Sequence, residues 1–210
     1  MKKISDFKTP QEEFWAGSFG VDYINRNESP QLLSANLSFY AAALKMAGKI
    51  SSCIEFGANI GMNLKALRLL YPDIELKGVE INQEAAARLA DLIGPANTLQ
   101  TSIFDFEIKE KADLALIKGV LIHLNPDMLH IAYEKLYEAS SKYILIAEYY
   151  NPSPITIKYR GHENRLFKRD FAGEMLEKYP DLKLLDYGFL YRRDPVFPQD
   201  DITWFLLGKS

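Results

Sequence analysis

Cys53 is the only cysteine, so no internal disulfide can brace the chain. It falls in an apolar run and reads as a small buried hydrophobe rather than a nucleophile. Long apolar runs are missing too. Nothing approaches the roughly 20 residues needed to cross a bilayer, and residues 1–6 offer no continuous apolar stretch to act as a leader. The expected location is cytoplasmic. Positive charge is not in excess: the formal net charge is −3 and the pI about 5.7, so there is no basic field for nucleic acid or an anionic membrane. Also lacking are an internal repeat, a low-complexity tract, metal-ligand spacing, a P-loop and a Ser-His-Asp arrangement, and no metal is expected. What is there is ordinary globular material, 210 residues of which 48% are hydrophobic and 25% charged, enough for one well-buried domain.

The dinucleotide fingerprint Gly-x-Gly-x-x-Gly is absent as well, which disfavours a pyrophosphate site and with it a dehydrogenase. A related pattern organises the chain instead. Ser52–Leu64 reads as a buried strand, a tight loop and the start of a helix. Gly57 ends the strand with backbone freedom, Gly61 lets the helix pack close to the sheet, and Asn59 between them tolerates a left-handed conformation. A second strand, Leu76–Asn82, carries Glu80 about 20 residues beyond the loop, where an α/β nucleotide domain keeps the acid that accepts hydrogen bonds from ribose hydroxyls.

Glu55, Gly57 and Gly61 resemble the first motif of the class I S-adenosylmethionine-dependent methyltransferases, with Asn59 in place of its middle glycine. A closer resemblance lies in the blocks EFWAGSFGVDYINRN, EFGANIGMNL, KGVLIHLNPD, AEYYNP, YRGHENRLFKRDFAG and DPVFPQDDITWFL, which run from residue 13 to residue 206. These are similar to the pseudaminic acid biosynthesis-associated methylases. The resemblance implies a single α/β, Rossmann-like class I methyltransferase domain. Its seven-stranded, mostly parallel sheet would close with an antiparallel C-terminal strand, and an N-terminal helical and aromatic extension would complete it. Residues 1–48 would cover the cofactor site and residues 49–210 would bind S-adenosyl-L-methionine. The implied reaction is methyl transfer to a sugar hydroxyl or amine of a nonulosonic acid, its nucleotide-activated form or a precursor. A cofactor-binding domain without turnover, regulating or scaffolding glycan assembly, is the alternative.

Along the chain, Tyr23, Arg26 and Asn27 fall in an aromatic stretch that can face the cofactor, with Arg26 suited to the methionine carboxylate; a hydrophobic staple is the other reading of Trp15 and Phe19. Ser29-Pro30 opens a helix, and strands then alternate with helices, which argues a parallel sheet. Thr98–Ile103 is expected as the third strand, delivering Ser102 or Asp105 to the adenine, although a turn acid facing solvent serves equally well. Ile81, Lys118 and Gly119 complete the cofactor set. His123 follows the fourth strand at the sheet's carboxyl edge, where open α/β sheets bind ligands, and is the first candidate for a base; Glu148, Tyr149 and His162 are alternates. After the fifth strand, residues 157–169 form an expected loop that sets five cations against Glu163. Tyr150, Arg160, Arg165, Lys168 and Arg169 are therefore expected to hold an anionic sugar or nucleotide-sugar, with a solvated basic turn as the other reading.

Overall fold

The computed structural model describes residues 7–24 and 28–210; Arg26 and Asn27 lie outside them. Helix α1, Pro10–Ala16, starts on a capping box in which the Thr9 hydroxyl accepts from the Glu12 amide and the Glu12 carboxylate accepts from the Thr9 amide. Gly17 ends it, and α2, Ser18–Ile24, follows. Helix α3, Pro30–Ala43, is capped by Ser29, whose hydroxyl accepts from Leu32 N at 3.0 Å. Then come β1 (Ser52–Phe56), α4 (Met62–Leu70), β2 (Glu75–Glu80), α5 (Gln83–Ile93), β3 (Thr98–Gln100), β4 (Ala112–Lys118), α6 (Leu129–Ala139) and β5 (Ser140–Glu148). A two-stranded hairpin, β6 (Ile155–Tyr159) and β7 (His162–Lys168), precedes α7 (Phe171–Lys178), β8 (Leu182–Phe189) and β9 (Thr203–Lys209).

The main sheet has the order β3-β2-β1-β4-β5-β9-β8. Its first five strands are parallel, and β9 runs antiparallel to both β5 and β8. Leu114, Ala115, Leu116 and Ile117 of the central strand are all 0% exposed, as a parallel strand covered on both faces demands. Because side chains alternate, Ile54, Phe56, Ala115, Ile117, Ile144 and Ile146 enter a core under α6 and α7. Cys53, Leu114, Leu116, Leu145 and Ala147 enter a second core under α3 and α4. Phe39, Tyr40 and Ala43 of α3 belong to that second core, so this helix is a layer of the domain.

Three expectations are corrected. The third strand stops at Gln100, and Ser102 caps the turn that follows by accepting from Phe104 N at 3.0 Å. Gly61 does set a close approach, but a Cβ there would meet Leu89 and Leu92 of α5 at 2.8 and 2.7 Å, so the crowding is helix against helix. The basic loop 157–169 is a hairpin. Ile155-Thr156-Ile157 and Leu166-Phe167 pair as strands, and Arg160-Gly161 is a two-residue turn with φ of +48° and +88°, the positive values that a type I′ turn requires.

Candidate active site

At the carboxyl ends of β1, β2 and β4 the polypeptide encloses a cavity of about 650 Å³, within the range of about 300–1,000 Å³ usual for small-ligand sites. Helices α1 and α2, residues of α3, α4 and α5, the turn after β3, the His123 turn, the tip of the hairpin and the β8–β9 connection contribute further lining. Of the residues singled out from sequence, Tyr23, Gly57, Asn59, Glu80, Ile81, Ser102, Lys118, Gly119, His123, Tyr149 and Arg160 line it.

One wall is backbone. Gly57 has φ +72°, and Gly57 N and Ala58 N donate to Val79 O at 2.8 and 3.0 Å, tying the loop to β2. Asn59 holds φ +49°, its amide donates to Glu80 Oε2 at 2.8 Å, and its own Oδ1 is buried without a partner. Glu80 Oε1 accepts from Asn82 N at 2.7 Å. Three amides occupy at most three of the four acceptor positions of the carboxylate, so at least one lone pair is left for a further donor. Burial pushes the Glu80 carboxyl above the usual range, and the amides of Asn82, Asn59 and Ile81 pull it back. Glu55 stands behind this wall rather than in it. It is 0% exposed, takes the Asn63 amide at 2.6 Å, and burial raises its carboxyl to about 8. Ser102 is committed to Glu12, to whose carboxylate its hydroxyl donates, and Asp105 is an exposed partner of Lys8 outside the lining. The Asn82 amide reaches the carbonyls of Trp15, Ala16 and Gly17 at 3.2–3.4 Å, so the end of α1 is fastened beside Glu80.

The opposite wall carries His123, the last residue of a 3₁₀ turn, Leu121–His123. Its Nδ1 lies 2.6 Å from the Arg165 carbonyl, and a carbonyl only accepts, so Nδ1 bears the proton and Nε2 keeps its lone pair. The ring packs between Trp15 and Tyr159, with centroids at 4.6 and 4.9 Å. Burial lowers its pKa to about 4, which leaves the imidazole neutral at ordinary pH. Glu148 does not line the cavity. Its Oε1 accepts from Val120 N and Leu121 N, each at 2.9 Å, and Oε2 lies 3.5 Å from Ile122 N. It caps the turn that carries His123, and burial raises it to about 7. The Tyr149 hydroxyl bonds to Asp200, and burial raises its pKa far above the phenol range.

The five expected anion-binding residues disperse. Arg160, at the hairpin tip, lines the cavity. Arg165 lies over the Phe14 ring at 5.1 Å, and Lys168 lies over the Tyr149 ring at 5.2 Å. Arg169 is bound to Glu174 at 2.6 Å, and Tyr150 packs outside on Phe205. His162 is exposed between Phe14 and Phe19, away from the cavity. Strand alternation separates residues that a loop would have gathered, so Tyr150, Arg165, Lys168 and Arg169 lie off the lining while Arg160 remains in it.

Sequence reading passed over Gln11, Asn36, Asn63, Arg192, Gln199 and Asp200, all in the lining. They come from α1, α3, α4 and the β8–β9 connection, where no spacing rule marks them. Lys118 joins several of them: Nζ donates to Asn36 Oδ1 at 2.9 Å and to Gln199 Oε1 at 2.7 Å, with Asn63 Oδ1 at 3.5 Å. Burial lowers its pKa to about 8.

No family model matches this chain, and no curated protein does. Solved structures match. The mitomycin 7-O-methyltransferase MmcR superposes with TM-score 0.67 at 16% identity, covering 96% of this chain, which in turn spans 61% of that protein. Burkholderia thailandensis 1,6-didemethyltoxoflavin-N1-methyltransferase, solved with S-adenosylhomocysteine, gives TM-score 0.71 at 13% identity over 95% of this chain and 87% of its own. Magnesium protoporphyrin IX methyltransferase from Synechocystis PCC 6803, with bound S-adenosylmethionine, gives 0.63 at 10% identity over 95% of each chain. At such identities the shared property is the fold, and this chain has the Rossmann-like fold of the class I S-adenosylmethionine-dependent methyltransferases.

Proposed function

We propose that the chain is a methyltransferase that binds S-adenosyl-L-methionine along the Gly57–Gly61 loop, with the ribose hydroxyls on Glu80. The observation that carries this reading is the pairing of two walls in one cavity. On one, a buried carboxylate with acceptor capacity left over sits beside a left-handed glycine loop. On the other, a neutral imidazole has its Nδ1 proton committed to a carbonyl. The chemistry of the residues fits the group. The unpartnered Asn59 Oδ1, Trp15 Nε1 and Gln199 Nε2 are buried polar atoms among the lining residues, and such atoms cost free energy unless a ligand satisfies them. Tyr23 and Trp15 supply electron-rich rings for a cationic centre.

S-adenosylmethionine supplies a methyl group on a positively charged sulfur. The residues of the chain position the acceptor for in-line attack, exclude water from the cavity and take the acceptor proton at His123 Nε2. A pKa of about 4 makes His123 a weak base but keeps it unprotonated and able to accept a hydrogen bond across the physiological range. The acceptor is the hydroxyl or amine of an anionic sugar of the nonulosonic, pseudaminic-type class, its nucleotide-activated form or a precursor. The family resemblance supports this choice, together with Arg160 in the same lining as the hydrogen-bonding groups Gln11, Asp200 and Tyr149.

The test is incubation of the protein with labelled S-adenosylmethionine and nucleotide-sugar pools, read by mass spectrometry. A gain of one methyl on an acidic sugar is expected, and His123→Ala should lower the rate by about 10²- to 10⁴-fold while S-adenosylhomocysteine affinity stays near wild type. Binding without any methylated product would favour the non-catalytic alternative.

A further inference from the structure

We propose that Lys118 and Gln199, held by Asn36, form a clamp for the carboxylate at the amino-acid end of the cofactor; the assignment rests on the reading that this cavity binds S-adenosylmethionine. Lys118 is half-buried, lines the cavity and makes no ion pair among the described residues. The acids that act on it, Glu55 and Asp200, do so from beyond ion-pair range. Glu55 is engaged by the Asn63 amide and Asp200 by the Tyr149 hydroxyl. Arg192, the other cation of this wall, already pairs with Asp201. An ammonium has three protons to donate. Two go to Asn36 and Gln199 at 2.9 and 2.7 Å, while the third has no acceptor nearer than Asn63 at 3.5 Å, with the Phe39 ring centroid 5.3 Å from Nζ. One strong donor is therefore left over.

Gln199 adds a second. Lys118 can only donate, so the Gln199 oxygen must face it, and the amide nitrogen is the free end. Gln199 is 8% exposed and that nitrogen is buried with no partner. A cation lacking a counter-ion beside an unsatisfied buried donor is costly when empty, and the ligand that satisfies both is an anion with two acceptor oxygens. The sheet order says which anion. Strands β2, β1 and β4 are consecutive, so a ligand whose ribose rests on Glu80 and whose body crosses the Gly57–Gly61 loop ends at Lys118. That is two strand spacings, about 10 Å. Asn36 from α3 and Gln199 from the β8–β9 connection thus bring both flanks of the fold onto the cofactor's tail.

Calorimetry with two ligands tests this. S-adenosylhomocysteine carries the carboxylate; 5′-methylthioadenosine keeps the adenosine and sulfur but has no amino-acid end. Lys118→Met should weaken the first by about 10- to 100-fold, the value of a charge-assisted hydrogen bond, and the second by less than about threefold. Gln199→Glu supplies Lys118 with an internal counter-ion at unchanged side-chain size, so it controls for lost packing, and should reduce the preference for S-adenosylhomocysteine in the same direction. An unchanged ratio of the two affinities in both variants overturns the clamp. An unchanged ratio with a raised KM for an anionic acceptor also overturns it, moving the cation to the acceptor side. If wild type binds neither ligand, the cofactor reading itself falls; if it binds both and the variants do not discriminate, only the clamp does.

Discussion

Gly57→Ala probes the point where the Gly57–Gly61 loop and the His123 turn touch. Gly57 has φ +72°, and a Cβ built on it would lie 2.4 Å from Val120 Cγ2 and 3.2 Å from Cγ1. Two costs follow, and they are separable. A left-handed conformation costs a residue with Cβ about 1–2 kcal/mol. Forcing extra volume into a packed site costs about 1–3 kcal/mol. The sum, about 2–5 kcal/mol, should lower Tm by about 4–20 °C in a chain of this size. Val120→Ala removes the methyls in the way but not the backbone strain. The double variant Gly57→Ala, Val120→Ala should therefore be more stable than the two single losses predict by about 1–3 kcal/mol, leaving the backbone cost behind. Urea denaturation of the four proteins measures the cycle. Strict additivity would refute the clash, and a Gly57→Ala protein as stable as wild type would refute both the clash and the backbone cost.

Glu80→Gln turns an amide against either Asn59 N or Asn82 N, so S-adenosylhomocysteine should bind about 10- to 100-fold more weakly by calorimetry, the loss of one charge-assisted bond; unaltered affinity would take Glu80 out of the ribose role. Glu148, raised to about 7 by burial, binds its proton more tightly folded than unfolded, so its own contribution to stability should fall as pH climbs from about 4.5 to 7. Glutamine has no such proton, and the opposite trend of His123 is common to both proteins; the Tm of Glu148→Gln relative to wild type should rise from pH 5 to 7 and then level, whereas a constant difference would show the carboxyl is not protonated there. Arg160→Lys keeps the charge but loses the planar two-donor fork, so kcat/KM for an acidic sugar should drop by about tenfold with cofactor affinity unmoved. Equal turnover of a neutral sugar would remove the anion from the site.

The sequence by itself determined the parallel sheet and its ligand edge. Strand and helix spacing, Ser29-Pro30 as a helix start, and the interval from Gly57 to Glu80 are local or short-range signals, each written within some 25 residues. Asn59 in a left-handed conformation was legible for the same reason, since few side chains tolerate it. What lay beyond reach was every contact made at long range. Residues 157–169 look like a basic loop until pairing of Ile155 with Lys168 fixes which side chains share a face, and only then does Arg160 reach the cavity while Arg169 turns to Glu174. Glu148 looks like a base from its place at a strand end, yet its carboxylate is taken up by three backbone amides some 26–28 residues away. Lys118 meets Asn36 and Gln199 across 82 and 81 residues of chain. Hydrogen-bonding partners of a buried polar group are chosen by what the fold brings within 3 Å of it, and no periodicity along the chain encodes that choice.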